Sequence, residues 1–129
     1  MIPEDTPLGL DNCGIVSVAM LAKRSYADTH KIFREVCGRV SRTSIWDRLE
    51  VMEYLCLPIR DEVHYKHKPT LRGWLTSTYD PTFSYHLTLT NHVVSVVNNK
   101  IFDQHFGAGI PAFKSPYNRK RVTSYIKLR

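Results

Sequence analysis

The sequence contains few cysteines and no long hydrophobic run, and both shortages limit what the protein can be. Its 129 residues include three cysteines, Cys13, Cys37 and Cys56. An odd number at wide spacings argues against a disulfide framework and for a reducing compartment. No apolar stretch approaches the ~18 residues that a membrane span needs, and no charged-then-apolar leader opens the chain. We therefore expect a cytoplasmic protein without a membrane partner.

Metal-binding and phosphate-binding signatures are also missing. The sequence has neither a Cys-x-x-Cys nor a His-Glu-x-x-His motif. Its closest approach to a zinc pattern is His64 and His67 in "HYKH", with His86 or His105 elsewhere. There is no glycine-rich loop of the kind that binds phosphates at a helix start. We expect no metal and no other cofactor.

Acidic residues are absent from the C-terminal end of a basic chain. The formal net charge is +6, and the segment from Lys114 to Arg129 holds six Lys or Arg and no Asp or Glu. A surface of this charge suits an anionic partner such as nucleic acid. An edge strand protected by basic side chains has the same composition. The charge alone does not separate these two interpretations.

Apolar residues are plentiful, at 43% of the chain with 11% aromatics, which predicts one folded domain over residues 1–129. A helix begins near Cys13, with Asp11 or Asn12 as N-cap, and is apolar on every side, so it should lie in the middle of the fold. Trp46 and Trp74 fall on apolar helical faces and are expected in the core. Further helices are predicted over 27–37, from 44 to about 57, and from 70.

The hydrophobic period changes to two after residue 82, which predicts strands. Strands are expected over 83–89, 92–97, 100–103 and 121–128, with Asn98 and Asn99 forming a type I′ turn. The first of these should be half-buried, since its apolar residues alternate with polar ones. Helices followed by antiparallel strands indicate an α+β fold, in which the cysteine-bearing helix packs on a small C-terminal antiparallel sheet.

The position of Cys13 at a helix start favours a reactive thiol. The first N–H groups of a helix carry a partial positive charge, which stabilises a thiolate and lowers the cysteine pKa. A free cysteine can equally be a small buried hydrophobe. We expect that second role for Cys37 and Cys56, which lie on the apolar sides of their helices.

His92 and Asp103 are predicted to meet across a hairpin. With a two-residue turn at 98–99, Val94 pairs with Asp103, so that His92 and Asp103 share one face of the sheet a diagonal step apart. A carboxylate on one imidazole nitrogen fixes the tautomer and leaves the other nitrogen for the thiol. His92 could instead be a core histidine and Asp103 a turn residue. His105 faces His92 directly in this register and is an alternative orienting group.

Two segments carry a resemblance to a known family. "DNCGIVSVAML" is similar to the cysteine-helix motif of the bacteriocin-processing transporter peptidases, which are compact papain-like cysteine peptidases, and "NHVVSVVNNKIFD" resembles that family's histidine strand and acidic residue. The layout also resembles small bacteriophage and prophage proteins. The resemblance implies a papain-like fold, Cys13 as nucleophile, His92 as general base and then acid, and Asp103 as orienting residue. It also implies a phage-encoded protein acting in the host cytoplasm.

The chain departs from the papain-like pattern at the oxyanion-stabilising glutamine, whose usual place six residues before the cysteine is taken by Pro7. Loss of one such donor typically lowers the rate by ~10²- to 10³-fold. The backbone N–H of Cys13 could serve instead, with Asn12 or Gln104 as a side-chain donor. "NCG" also lacks the following proline of the transporter peptidases.

These features predict a cysteine hydrolase with a thioester intermediate, acting on a peptide, an isopeptide or a glutamine side-chain amide. The partner would be a protein or peptide substrate. The alternative is a non-catalytic papain-like protein that engages a host protein or nucleic acid through its basic C-terminal region. The sequence makes no prediction of oligomeric state.

Overall fold

Four helices and six antiparallel strands form a mixed α+β fold in the computed structural model, which describes residues 1–9 and 11–129. The helices are α1 (Cys13–Ala22), α2 (Tyr26–Cys37), α3 (Ile45–Tyr54) and α4 (Leu71–Ser77). The strands are β1 (Ile59–His64), β2 (Ser84–Leu89), β3 (His92–Val97), β4 (Lys100–Phe102), β5 (Ile110–Pro111) and β6 (Val122–Leu128), with a short 3₁₀ helix over Ala112–Lys114. The α+β class predicted from the sequence is confirmed.

Helix α1 lies at the centre of the molecule, as its apolar sequence predicts. Ile15, Val18 and Ala19 are fully buried, and the helix contacts α2, α3, β2 and β3. It ends at Lys23, which adopts the left-handed conformation with φ of 56°. Because this helix is held on several sides, its first residue has a fixed position relative to the sheet.

The other helices begin where capping residues predict them. Ser25 accepts a hydrogen bond from the backbone at the start of α2, and Thr70 does the same for α4. Ser44 and Asp47 form a complete capping box at the start of α3. Gly38 ends α2 in the left-handed conformation, where glycine has no steric penalty.

All strands join one sheet in the order β1-β6-β2-β3-β4-β5. One core group lies between the sheet and α4, centred on the fully buried Trp74, and a second lies among α1, α2, α3 and the β6 residues Ile126 and Leu128. The sheet is therefore covered on both faces. This explains why His86, expected on the polar side of a half-buried strand, is fully buried, and the half-buried interpretation of that strand is wrong.

The β3–β4 hairpin has the predicted turn and register. Asn98 and Asn99 have φ values of 50° and 63°, and Val97 pairs with Lys100. The paired residues end at Ser95 and Phe102, so Asp103 lies one residue beyond the strand to which the sequence pattern assigned it.

Strand β1 was not predicted, and it falls between α3 and α4, so helices do not simply precede strands. Its central residues Arg60, Asp61 and Glu62 are charged and give no apolar alternation. Within residues 1–9 and 11–129, the strand pairs only with β6, at the sheet edge. Trp46 is 61% exposed, so its predicted core position is wrong. It lies on the first turn of α3 and stacks on His64 of β1.

Cys56 also departs from expectation, since it is exposed, whereas Cys37 is half-buried and packs against the helical core. Cys56 follows the end of α3 in a left-handed conformation, with φ of 55°, and this directs it away from the apolar face. In the described part of the chain, no helix combines the length and apolarity that crossing a membrane requires.

We predict that Asn98→Val destabilises the protein by about 1–2 kcal/mol, because a β-branched residue resists the left-handed conformation of this turn. Asn98→Gly is the matched control, since glycine adopts the same φ without strain. Urea denaturation of the two variants measures the difference. Equal stability of the valine and glycine variants would contradict the proposed turn energetics.

Candidate active site

Cys13 occupies the first position of α1, where its thiol meets strand β3. The His92 side chain and the backbone of Val93 lie close enough to the sulfur to lower its pKa. The first N–H groups of α1 have no intrahelical acceptors, and the Asn12 side chain does not cap them. The helix start therefore presents free backbone donors beside a half-buried thiol.

His92 links this thiol to a carboxylate. Its Nε2 lies 2.6 Å from Oδ2 of Asp103, which leaves Nδ1 as the nitrogen available to the Cys13 thiol. Of the two candidate orienting groups, the structure brings Asp103 to His92. The His105 ring lies with its centroid 6.4 Å from that of His92.

Asp103 is itself held by four hydrogen bonds and is only 2% exposed. Oδ2 accepts from the Tyr117 hydroxyl at 2.5 Å as well as from His92. Oδ1 accepts from the backbone N–H groups of His105 and Phe106 at 2.9 and 2.8 Å. The carboxylate therefore has little freedom to turn, and the orientation of the imidazole follows from it.

The electrostatics of the three groups favour a thiolate beside an imidazolium. Burial acts to lower the pKa of His92, but hydrogen bonds to Asp103 and Cys13 outweigh it and raise that pKa to about 9. Burial likewise acts to raise the pKa of Cys13, yet the hydrogen bond and charge of His92, with smaller contributions from Val93 and Arg48, lower it overall. Burial opposes ionisation of Asp103 too, and its donors His92, Tyr117 and Phe106 still lower its pKa.

Asn12 and Gln104, the predicted side-chain oxyanion donors, bond to each other. Gln104 donates from Nε2 to Oδ1 of Asn12 at 2.8 Å and to the Pro7 carbonyl at 2.9 Å. Asn12 donates from its amide to the Tyr26 hydroxyl. These bonds join the loop after Asp103 to the residue before Cys13. Both hydrogens of the Gln104 amide are engaged in this way, whereas Asn12 uses one of its two, so the donors left at the helix start are the second Asn12 N–H and the backbone N–H groups of α1.

A buried polar chain behind Cys13 was not predicted from the sequence. Arg48, only 3% exposed, donates from Nε to Nε2 of His86 at 2.9 Å. His86 must then carry its proton on Nδ1, which donates to Ser17 Oγ at 2.8 Å, and Ser17 lies 2.7 Å from Ser95 Oγ. Burial, aided by the charge of Arg48, lowers the pKa of His86 well below its usual range. His86 is therefore neutral and structural.

Arg48 brings a positive charge close to the thiol. Its Nη2 donates to Thr88 Oγ1 at 2.7 Å and its Nη1 donates to the Thr43 carbonyl. Burial lowers its pKa to about 10, with the Cys13 charge acting in the opposite direction, so the guanidinium remains charged at neutral pH. The sequence contains a signal for Arg48, because this charged residue falls on the apolar side of α3 with Ile45, Leu49 and Met52.

Tyr117, which bonds Asp103, lies in a loop and has no such signal.

Gly14 is required by the packing of Arg48. A Cβ at position 14 would lie 2.6 Å from both Arg48 Cδ and Thr43 Oγ1, closer than van der Waals contact allows. The "Cys-Gly" pair thus has a local physical reason, since the glycine makes room for the arginine beside the thiol.

The thiol opens into a cleft of about 670 Å³. Its floor is a row of directly opposite residues on four strands, Val93, Thr88, Ser124 and His64. At the far end Trp46 stacks on His64, with ring centroids 4.7 Å apart. The cleft therefore runs across the strands from Cys13 to an exposed aromatic pair.

Residues 1–9 and 11–129 contain no group of three or more His, Cys, Asp or Glu side chains placed to hold a metal ion. Comparison of the chain with protein-family models, with curated proteins and with solved structures found no match.

We predict that Gly14→Ala lowers the free energy of unfolding by about 1–3 kcal/mol, as overpacking of a filled interior does. Gly73→Ala in α4 is the control, because its Cβ would approach only Thr70 Oγ1, at 3.2 Å, and alanine is the better helix former. Chemical denaturation measures both variants. A Gly14→Ala protein as stable as the Gly73→Ala protein would rule out the steric constraint.

Proposed function

We propose that the protein is a cysteine hydrolase of papain-like type. The observation that carries the proposal is the arrangement of three groups, in which Asp103 is hydrogen-bonded to His92 and His92 lies beside Cys13 and lowers the pKa of its thiol. A thiolate is a strong nucleophile, and an adjacent imidazole activates it and supplies the proton that the leaving group needs. The resemblance of the cysteine and histidine segments to compact papain-like peptidases supports the same conclusion.

The first half of the reaction forms a thioester. The Cys13 thiolate attacks the carbonyl carbon of an amide, and a sulfur–carbon bond forms while negative charge develops on the oxygen. The backbone N–H groups at the start of α1 are donors for that oxygen. The carbon–nitrogen bond then breaks, and the His92 imidazolium gives its proton to the departing amine.

The second half releases the product. Neutral His92 takes a proton from water, the hydroxide adds to the thioester carbonyl, and the carbon–sulfur bond breaks to restore the thiolate. The acid product loses its proton, and the imidazolium–thiolate pair is regenerated. Asp103 remains ionised throughout and keeps the Nδ1 atom of His92 directed at the sulfur.

The substrate in this proposal is a protein or peptide, with a peptide, isopeptide or glutamine side-chain amide as the bond cleaved. The proposed setting is a phage-encoded protein in the host cytoplasm. The substrate class follows from the resemblance together with the site, and the phage setting follows from the resemblance alone.

A non-catalytic binding role is the second candidate, favoured by the basic surface. Arg119 and Arg121 are exposed beside the half-buried Lys120, and such a surface suits an anionic macromolecule such as nucleic acid. If binding to duplex DNA carries this function, affinity must fall steeply as salt rises, because counterions are released on binding. Salt-independent binding, or none, would exclude the nucleic-acid form of this candidate.

We predict that Cys13 is alkylated by iodoacetamide at a lower pH than an ordinary thiol, because its pKa is lowered. The rate should increase as pH rises through this lowered pKa, since deprotonation creates the nucleophile. His92→Ala removes the largest stabilising influence on the thiolate and should move the midpoint upward. Mass spectrometry of the labelled protein over a pH series gives the rate for each cysteine.

Exposed Cys56 is the internal control, because it is accessible to the same reagent in the same sample. If Cys13 reacts no faster than Cys56 below neutral pH, or if His92→Ala leaves its profile unchanged, the hydrolase proposal fails.

A further inference from the structure

The lining of the cleft includes a buried cation and a hydroxyl without a hydrogen-bond partner. Arg48 is 3% exposed, and its hydrogen-bond partners are the neutral residues His86, Thr43 and Thr88. Ser124 is also 3% exposed, and its Oγ has no hydrogen-bond partner among the described residues. Both residues line the cleft. A buried hydroxyl without a partner is costly, so this one is a candidate ligand contact.

The Ser124 hydroxyl lies next to Thr88, the sheet residue that bonds the Arg48 guanidinium. Thr88 and Ser124 are directly opposite on β2 and β6, so their side chains project from the same face at ~5 Å spacing. Thr88 accepts a hydrogen bond from Nη2 of Arg48. Of the five N–H groups of an arginine, at most four are engaged here, which leaves one on Nη2, the nitrogen that bonds Thr88 opposite Ser124.

The cleft has almost no negative charge of its own. Among the described residues that line it, Asp11 is the one carboxylate, and it is exposed and pairs with Arg42 at 3.3 Å. Asp47, which precedes Arg48, is held by the Ser44 cap and by Arg39. The Cys13 thiolate and the Asp47 carboxylate both act on the buried guanidinium, and of these two residues only Cys13 lines the cleft.

That balance changes during the proposed reaction. When Cys13 becomes a thioester its negative charge disappears, while Arg48 stays buried and charged. A buried charge that loses one of its counterions is destabilised. An anionic group on the substrate, bound beside Arg48, would supply the missing charge at this stage.

We propose that Arg48 and Ser124 form a carboxylate-binding subsite, so that the hydrolase acts on substrates with an acidic group close to the bond cleaved. This inference rests on the proposed function. Adjacent strands lie ~4.8 Å apart, so the space between Thr88 and Ser124 is ~5–10 Å from Val93, which lies beside the Cys13 sulfur. An extended chain covers that span in one to three residues. The acidic group is therefore an adjoining side-chain carboxylate or a nearby chain terminus.

Two thiol reagents of equal length test the subsite. Bromoacetyl-glycine places a carboxylate one residue from the carbon that the thiol attacks, and bromoacetyl-glycinamide places a neutral amide there. Their alkylation rates at Cys13, each divided by its rate with the uncharged thiol 2-mercaptoethanol, give a charge preference corrected for intrinsic reactivity. We expect the carboxylate to react about tenfold faster or more, as a charge-assisted hydrogen bond allows, with saturation as its concentration rises.

Ser124→Ala should reduce this preference several-fold without loss of stability, since its hydroxyl has no partner to lose. Ser84→Ala is the matched control, because it makes the same change in the same pair of strands at the end away from the cleft. Arg48→Lys, with its folding checked by circular dichroism, should also reduce the preference. Lysine keeps the positive charge but lacks the planar guanidinium, whose paired N–H groups can bind a carboxylate.

Equal normalised rates for the two reagents would overturn the subsite, as would a Ser124→Ala variant that keeps the full preference. The neutral reagent separates this failure from failure of the proposed function. If Cys13 reacts rapidly with the amide but shows no preference, only the subsite is wrong. If bromoacetyl-glycinamide labels Cys13 no faster than Cys56, the proposed activation of Cys13 is wrong. The ratio of the two reagents' rates at Cys13 still tests the subsite in that case.

Discussion

The hydrogen bond between His92 and Asp103 is the constraint on which the rest of the site depends. It fixes which imidazole nitrogen faces the thiol. It also raises the pKa of His92, which keeps the ring protonated beside the Cys13 thiolate. The bond is possible because a tight asparagine turn sets the hairpin register and leaves Asp103 immediately beyond the strand. Tyr117 and two backbone N–H groups then hold the carboxylate in place. If Asp103 rotated away, the imidazole would lose its fixed orientation and would no longer stabilise the thiolate.

A second constraint comes from the helical side of the sheet. Helix α3 sends Arg48 into the interior, where it bonds His86 and Thr88 and passes through the space that Gly14 leaves open. The same arginine supports the thiolate electrostatically and forms part of the cleft floor. A cation buried without a carboxylate partner is costly for folding alone, and its position beside a reactive thiol gives that cost a functional reason.

The sequence predicts the elements whose signals are local. The central helix beginning at Cys13, the capping box of Ser44 and Asp47, and the turn at Asn98 and Asn99 each depend on short-range chemistry, and each is confirmed. The meeting of His92 and Asp103 also follows, because strand parity carries over a two-residue turn. Strand β1 was missed because its charged centre lacks apolar alternation, and Trp46 was misplaced because its stacking partner belongs to that strand.

The rest of the site depends on contacts between distant segments. Tyr117 reaches Asp103 from a loop, and Gln104 reaches Pro7 across 97 positions, and neither contact has a pattern in the sequence. Arg48 is the instructive intermediate case. A charged residue on an otherwise apolar helical face is visible in the sequence, yet its partner His86 becomes apparent only when both faces of the sheet are known to be covered.

The most direct test of this account is the protonation state of His92 at neutral pH, observed by nitrogen NMR of the imidazole ring in the full chain. With its pKa raised to about 9, His92 should carry protons on both ring nitrogens at neutral pH. Replacement of Cys13 by alanine should then lower the pH at which it titrates. A His92 ring that is uncharged at neutral pH, and whose titration does not change when the thiol is removed, would contradict the account.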